Sequence, residues 1–216
     1  MTKSEYSVTA EVGGKSWHFS TGKLAPQASG SVLVRVGDTV VMATAVLAKE
    51  QRAGIDYLPL LVDYEEKLYA AGKIKGSRWV KREGRPSDEA VLSGRVIDRS
   101  LRPMFDGRIR NDIQVVVTVL SVDGENDPDI IGLNAAAAAV AISEIPWDGP
   151  IAGVRVGKIK DEFVLNPSFT KTANESVLDL IVSGTAEHII MVEAGAREVS
   201  EEEILSAVAF AQKELK

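Results

Sequence analysis

Nine lysines and arginines fall between Gly72 and Phe105: Lys73, Lys75, Arg78, Lys81, Arg82, Arg85, Arg95, Arg99 and Arg102. Only four acids accompany them, Glu83, Asp88, Glu89 and Asp98, so the window carries +5 in a chain of formal net charge −6, and the remainder sums to −11. Cations gathered in one stretch of an acidic protein suit a polyanion, because neutralising phosphates releases their counterions. The competing reading is a solvated run of charge on a loop. Trp79 stands among Arg78, Lys81 and Arg82, with Gly72, Gly76 and Gly84 close by. One large aromatic among cations fits single-stranded nucleic acid, whose bases stack while its phosphates pair. The alternative for Trp79 is a side chain folded back into the core.

The second half of the window reads as a helix. Ser87 is placed to cap it, Asp88 and Glu89 lie in its first turn, and Pro103 stops it just past Leu101. Arg95, Arg99 and Arg102 then fall at i, i+4 and i+7 on one stripe, with Ala90, Ile97 and Leu101 roughly opposite. Val91 and Leu92 border the stripe. Asp98 stands at helical spacing from Arg95 and Arg102, so part of the stripe reads equally as a salt-bridge ladder. Loop and helix together form a plausible track for a strand; neither does alone.

The rest of the chain has to position that track. Its 216 residues suffice for one full domain with a sizeable core, and 45% hydrophobic with 26% charged residues is ordinary for a globular protein. The absence of cysteine excludes disulfides, thiolate metal sites and a cysteine nucleophile. The first residues lack the apolar core of a signal peptide, and no apolar run reaches membrane-spanning length. A cytoplasmic protein with no membrane contact is expected.

Tyr6–Val12 and Lys15–Ser20 read as strands joined at Gly13-Gly14, and Ser31–Val36 and Thr39–Leu47 as a second hairpin across Gly37-Asp38. Tyr57–Tyr64 is a further strand, which Pro59 places at an edge or bulge. The β-branched run Ile113–Val122 is the candidate for the most buried strand. The acidic loop Asp123–Asp129 misses calcium-loop spacing and reads as the cap of an alanine-rich helix from about Pro128 to Ser143. Ile151–Ile159 with Glu162–Leu165, and Ser176–Ser183 with His188–Glu193, give two more hairpins. A last helix runs from Ser200, acids first and lysines last. The sum is a single α+β domain with a mostly antiparallel sheet and three helices.

No nucleophile elbow, zincin helix, phosphate-binding Walker loop or dinucleotide fingerprint is present. His18 and His188 are isolated and make no conventional zinc site. From residues alone, the chain is an acidic α+β domain with one polyanion-binding track.

Four segments resemble a known family: Thr21–Val46, Pro59–Gly76, Lys81–Phe105 (KREGRPSDEAVLSGRVIDRSLRPMF) and Asp179–Ala196. They are similar to the bacterial polynucleotide phosphorylases (polyribonucleotide nucleotidyltransferases), in their first RNase PH-like core domain, over about residue 6 to the C-terminus. The resemblance implies the RNase PH-like, ribosomal protein S5 domain 2-like fold across about 6–200, with the terminal helix 200–216 leading toward a helical linker domain absent from this sequence. It implies a parent that degrades mRNA as a phosphorolytic 3′-to-5′ exoribonuclease, releases nucleoside diphosphates, forms a trimeric ring around an RNA channel and has further RNA-degradation partners. Mg2+ is implied for the parent, at a site outside this chain.

In that family the first core domain lacks the phosphorolytic centre and contributes ring contacts and an RNA-gripping loop of two aromatics and two arginines. Trp79, Val80, Lys81 and Arg82 match that loop, with Val and Lys as departures and Arg78 as an insertion; Arg85, Arg95, Arg99 and Arg102 match its arginine-rich segment. Asn126–Asp129 falls where the catalytic domain carries its phosphate-binding serines, Asp179 keeps one acid position, and Ile181 replaces a lysine. The resemblance therefore assigns RNA binding to Arg78, Trp79, Lys81, Arg82, Arg85, Arg95, Arg99 and Arg102. It assigns no catalytic or metal-binding residue to this chain. The alternatives are a purely structural ring or partner-binding domain and a self-contained phosphorolase.

Overall fold

The computed structural model describes residues 4–74 and 84–216. Strand β1 (Tyr6–Val12) turns through Gly13 and Gly14, both left-handed at φ 59° and 74°, into β2 (Lys15–Thr21). Then follow β3 (Gly30–Val36), β4 (Thr39–Gln51), β5 (Leu60–Glu66), helix α1 (Asp88–Leu101), β6 (Asn111–Ser121) and helix α2 (Pro128–Ala141). The first sheet has the order β1-β2-β3-β4-β6-β5. Its pairings are antiparallel except β5–β6, which is parallel and leaves β5 at the edge, in keeping with Pro59 just before it.

The second half adds β7 (Ala152–Ile159), β8 (Glu162–Leu165), α3 (Phe169–Glu175), β9 (Leu178–Gly184), β10 (Ile189–Ala196) and α4 (Glu201–Glu214). These strands form an antiparallel sheet of order β10-β9-β7-β8. Thus four α-helices stand among the described residues where the sequence predicts three, and two sheets where it predicts one.

Helix α2 joins the halves, touching β3, β4 and β6 of one sheet and β7 of the other. Ile130, Ile131, Leu133, Ala135, Ala136, Ala139 and Val140 bury it on most sides, so the alanine-rich run has no solvent stripe. Asn134 ties it to β7: its amide donates to the Gly153 carbonyl (2.8 Å), and its own carbonyl accepts from the Gly153 N–H (3.1 Å). Gly153 permits the approach, since a Cβ there would stand 2.6 Å from a Leu133 methyl.

Helix α1 begins as its sequence predicts. Ser87 accepts from the Ala90 N–H at 3.0 Å and donates to Glu66 at 2.9 Å, fixing the helix start to the end of β5. Ala90, Val96, Ile97 and Leu101 face inward, and Ser100 meets Ser183 of β9 in a buried hydroxyl pair at 2.7 Å. Val91 and Leu92 are exposed.

Leu101 is fully buried and Leu92 is not. Leu101→Ala should therefore lower unfolding free energy by about 2–5 kcal/mol, and Leu92→Ala by at most about 0.5 kcal/mol, in urea titrations followed by circular dichroism.

Candidate functional site

The arginines of the basic window divide into two groups. Arg102, half-buried, is tied to the fold: it pairs with Asp98 through Nε (3.1 Å) and Nη2 (2.7 Å), and its guanidinium donates to the carbonyls of Leu58 (3.3 Å) and Leu60 (3.0 Å). Arg99 pairs with Glu193 of β10. Arg85 and Arg95 are exposed and make no hydrogen bond or ion pair among the described residues. The predicted contacts Arg78, Trp79, Lys81 and Arg82 lie outside the described residues. Arg85 borders a cavity of about 760 Å³ between the end of β5 and the start of α1, where Lys67, Lys73, Glu66, Ser87 and Phe169 also stand. The site thus presents a cationic rim on a wall that also carries carboxylates.

A second constellation has no motif in the sequence to announce it. Arg155, on β7, lies between Asp127, which caps α2, and Asp179 on β9. Its Nε is 2.7 Å from Asp127 Oδ2, too poorly aligned for a directed hydrogen bond, and its Nη1 donates to both Asp179 oxygens at 2.8 and 2.7 Å. The side chains of Arg155 and Asp127 keep only 13% and 9% of their exposure. Burial would push the guanidinium down, but Asp127, Asp179 and Asp129 outweigh it, so it holds its proton more tightly than usual.

A cavity of about 450 Å³ opens beside this group, lined also by Thr172, Ser176 and Arg197. Ser176 is engaged with the backbone, donating to Leu178 O at 2.5 Å and accepting from the Lys158 N–H at 2.9 Å. Ile181 lies in the apolar core. A phosphoryl-transfer centre needs cations and donors aimed at a transferring phosphate. Here the cation is clamped by carboxylates, and the α2 start presents Asp127. Nor do these residues fit the Mg2+ of the implied parent: the oxygens of Asp127 and Asp179 that a divalent ion would take already face Arg155, and no three His, Cys, Asp or Glu converge on a metal position among the described residues.

Asp129, in the first turn of α2, keeps a narrow opening to solvent, yet protein atoms crowd its carboxyl. Burial, with repulsion from Asp127, raises it to about 6, against the opposing pull of the nearby Tyr64 and Ser93 hydroxyls and of Arg155. Tyr64 is itself pushed up by burial and then by Asp129, and its hydroxyl forms no well-aligned bond. The acidic loop is organised by Asp123, which accepts from the N–H groups of Glu125 and Asn126, both at 2.8 Å, and from the Asn126 amide at 2.6 Å. Burial would raise Asp123, but those bonds hold it well below the carboxylate range. His18 is exposed beside Thr9 (2.8 Å), and His188 is exposed as well.

Two sheets joined by a buried helix define the α+β RNase PH-like class. A crystal structure of rice Rrp46 matches 99% of this chain and 90% of its own at TM-score 0.70 and 15% identity. An Archaeoglobus fulgidus exosome with RNA bound to the active site matches 98% and 86% at TM-score 0.67 and 16% identity. The 3′ exoribonuclease family models match here, domain 1 over residues 13–146 and domain 2 over 149–214, and the chain belongs to that family. The polyribonucleotide nucleotidyltransferase of Halothermothrix orenii is 52% identical over 96% of this chain, and that of Heliobacterium modesticaldum 50% identical over 95%. The chain spans 29% of the length of each. No helix among the described residues is long and apolar enough to cross a membrane.

Asp129 binds its proton more tightly in the folded chain than in the unfolded one, where the ordinary value is 3.8. Its contribution to folding is therefore most favourable below pH 4, falls as pH rises, and is fully lost above about 6. Urea midpoints of Asp129→Asn relative to wild type should shift in favour of asparagine between pH 4 and 7, by roughly 1–3 kcal/mol. A pH-independent difference would contradict the assignment.

Proposed function

We propose that this chain is the N-terminal core domain of a phosphorolytic 3′-to-5′ exoribonuclease, a single folded unit that binds single-stranded RNA and does not itself transfer phosphate. The observation that carries the reading is the pairing pattern of the cations. Arg85 and Arg95, within the window of highest positive charge, are exposed and unengaged among the described residues, while the buried Arg155 is held by two carboxylates. In the parent, Mg2+ and the phosphorolytic residues belong to another domain. This chain supplies ring contacts for a trimer and a grip on RNA through Arg78, Trp79, Lys81, Arg82, Arg85 and Arg95. The half-identical relatives named polyribonucleotide nucleotidyltransferase support that parent, for which this reading takes a cytoplasmic setting and mRNA as substrate.

A second reading, a ring or partner scaffold without RNA contact, draws on Arg99 and Arg102, whose guanidinium groups are engaged with Glu193, Asp98 and two carbonyls. RNA binding separates the two. Fluorescence anisotropy with a labelled oligoadenylate should show salt-sensitive affinity. The triple change Lys81→Ala, Arg82→Ala, Arg85→Ala should weaken it at least about tenfold and flatten the log–log salt slope by roughly 0.7 for each phosphate no longer neutralised. Affinity indifferent to the triple change leaves the scaffold reading standing and removes this one.

A further inference from the structure

An arginine with no partner of its own grips a phosphate best when its backbone is already held, because ordering chain and side chain together at the moment of binding costs conformational entropy. Arg85 is such a residue: exposed, with no hydrogen bond or ion pair among the described residues. Its backbone is restrained through the residues that follow it. Pro86 favours extended backbone at Arg85 and fixes its own φ. Ser87, the cap of α1, is extended as well, at φ −65° and ψ 160°. Only Pro86 lies between Arg85 and Ser87, so whatever holds Ser87 holds the base of Arg85.

Ser87 is held from two sides. Its hydroxyl oxygen accepts from the Ala90 N–H at 3.0 Å, which fixes it to its own helix, and its single proton goes to Glu66 Oε2 at 2.9 Å. Glu66 ends β5 and stands opposite Val119 in the parallel β5–β6 pairing, so its backbone belongs to the first sheet. Attachment thus runs from the sheet to Glu66, Ser87, Pro86 and Arg85. These four residues line the cavity of about 760 Å³ that Lys73 also borders.

Glu66 carries the wrong charge for that rim, since a carboxylate repels a phosphate. Its neighbour Glu65 pairs with Lys67 at 2.7 Å, but Glu66 makes no ion pair among the described residues. It takes the Ser87 proton instead, in a charge-assisted bond, and leaves Arg85 uncommitted. Both ends of that bond are exposed, so breaking it leaves the fold intact.

We propose that Glu66 is a positioning residue for RNA: through Ser87 it moors Arg85 to the first sheet, and the guanidinium meets a phosphate from a fixed base. The inference rests on the RNA reading and deepens it, adding a residue that acts on RNA only through its neighbour.

Glutamine at position 66 keeps an acceptor for Ser87 and loses the charge, whereas alanine loses both. Glu66→Gln and Glu66→Ala therefore carry equal charge and differ in the bond alone. In oligoadenylate anisotropy titrations, Glu66→Ala should bind at least about threefold more weakly than Glu66→Gln. Its log–log salt slope should also be flatter, by up to roughly 0.7, as one phosphate contact is lost. Adding Arg85→Ala to both variants should close the gap, because the effect passes through Arg85. Thermal midpoints of the two single variants should agree within about 2 °C. Equal affinity of the two, with Arg85→Ala alone weakening wild-type binding, would overturn the mooring and leave the RNA reading standing. A gap that survives Arg85→Ala would overturn it as well. Arg85→Ala binding as tightly as wild type would strike Arg85 from the RNA reading itself, and the mooring with it.

Discussion

The Arg155 guanidinium, held between the first cap of α2 and the strand β9, is the constraint on which the rest of this fold turns. A charge so far removed from water is costly unless its partners are fixed in place. Asp127 and Asp179 are fixed by different elements: one by the helix it caps, the other by the second sheet. The pairing therefore sets where α2 starts relative to β7 and β9. Once α2 is placed, its buried apolar surface closes the core against the first sheet, and Asn134 locks it to Gly153.

The same interaction decides the local chemistry. Three aspartates and one arginine in a small space would suit acid–base work if the cation were free to meet a phosphate. It is instead held at 2.7–2.8 Å by two carboxylates, Asp127 and Asp179. The third, Asp129, is left with a crowded carboxyl and a raised affinity for its proton. Structure-supporting ion pairs and reaction centres use the same residue types, and the difference lies in whether any charge remains uncommitted.

Much of the fold was legible because the relevant signals are local. The hairpins at Gly13-Gly14 and Gly37-Asp38, the cap at Ser87 and the stop before Pro103 each depend on a few adjacent residues, and the strands and helices form there. Helix α3 escapes sequence reasoning because FTKTANE has no apolar period and Ser168 makes no capping bond with its side chain. The parallel β5–β6 pairing and the division into two sheets depend on contacts far apart in sequence. So do the arginine pairings. Helical spacing correctly places Arg102 near Asp98, but its carbonyl partners lie 42 and 44 residues away, and Asp179 lies 24 residues from Arg155. Arg155 had one faint signal, a cation flanked by Val154 and Val156 in β7. The basic window announced itself by charge, while which of its arginines are engaged elsewhere could be read only from the packing.

The account holds that this domain grips and positions RNA while its own buried arginine and carboxylates are committed to the fold. The most direct test is to incubate the purified 216-residue chain with polyadenylate, inorganic phosphate and Mg2+ and measure nucleoside diphosphate by chromatography. The account predicts no release above the enzyme-free blank. Phosphate-dependent release of ADP that Arg155→Met abolishes would contradict it.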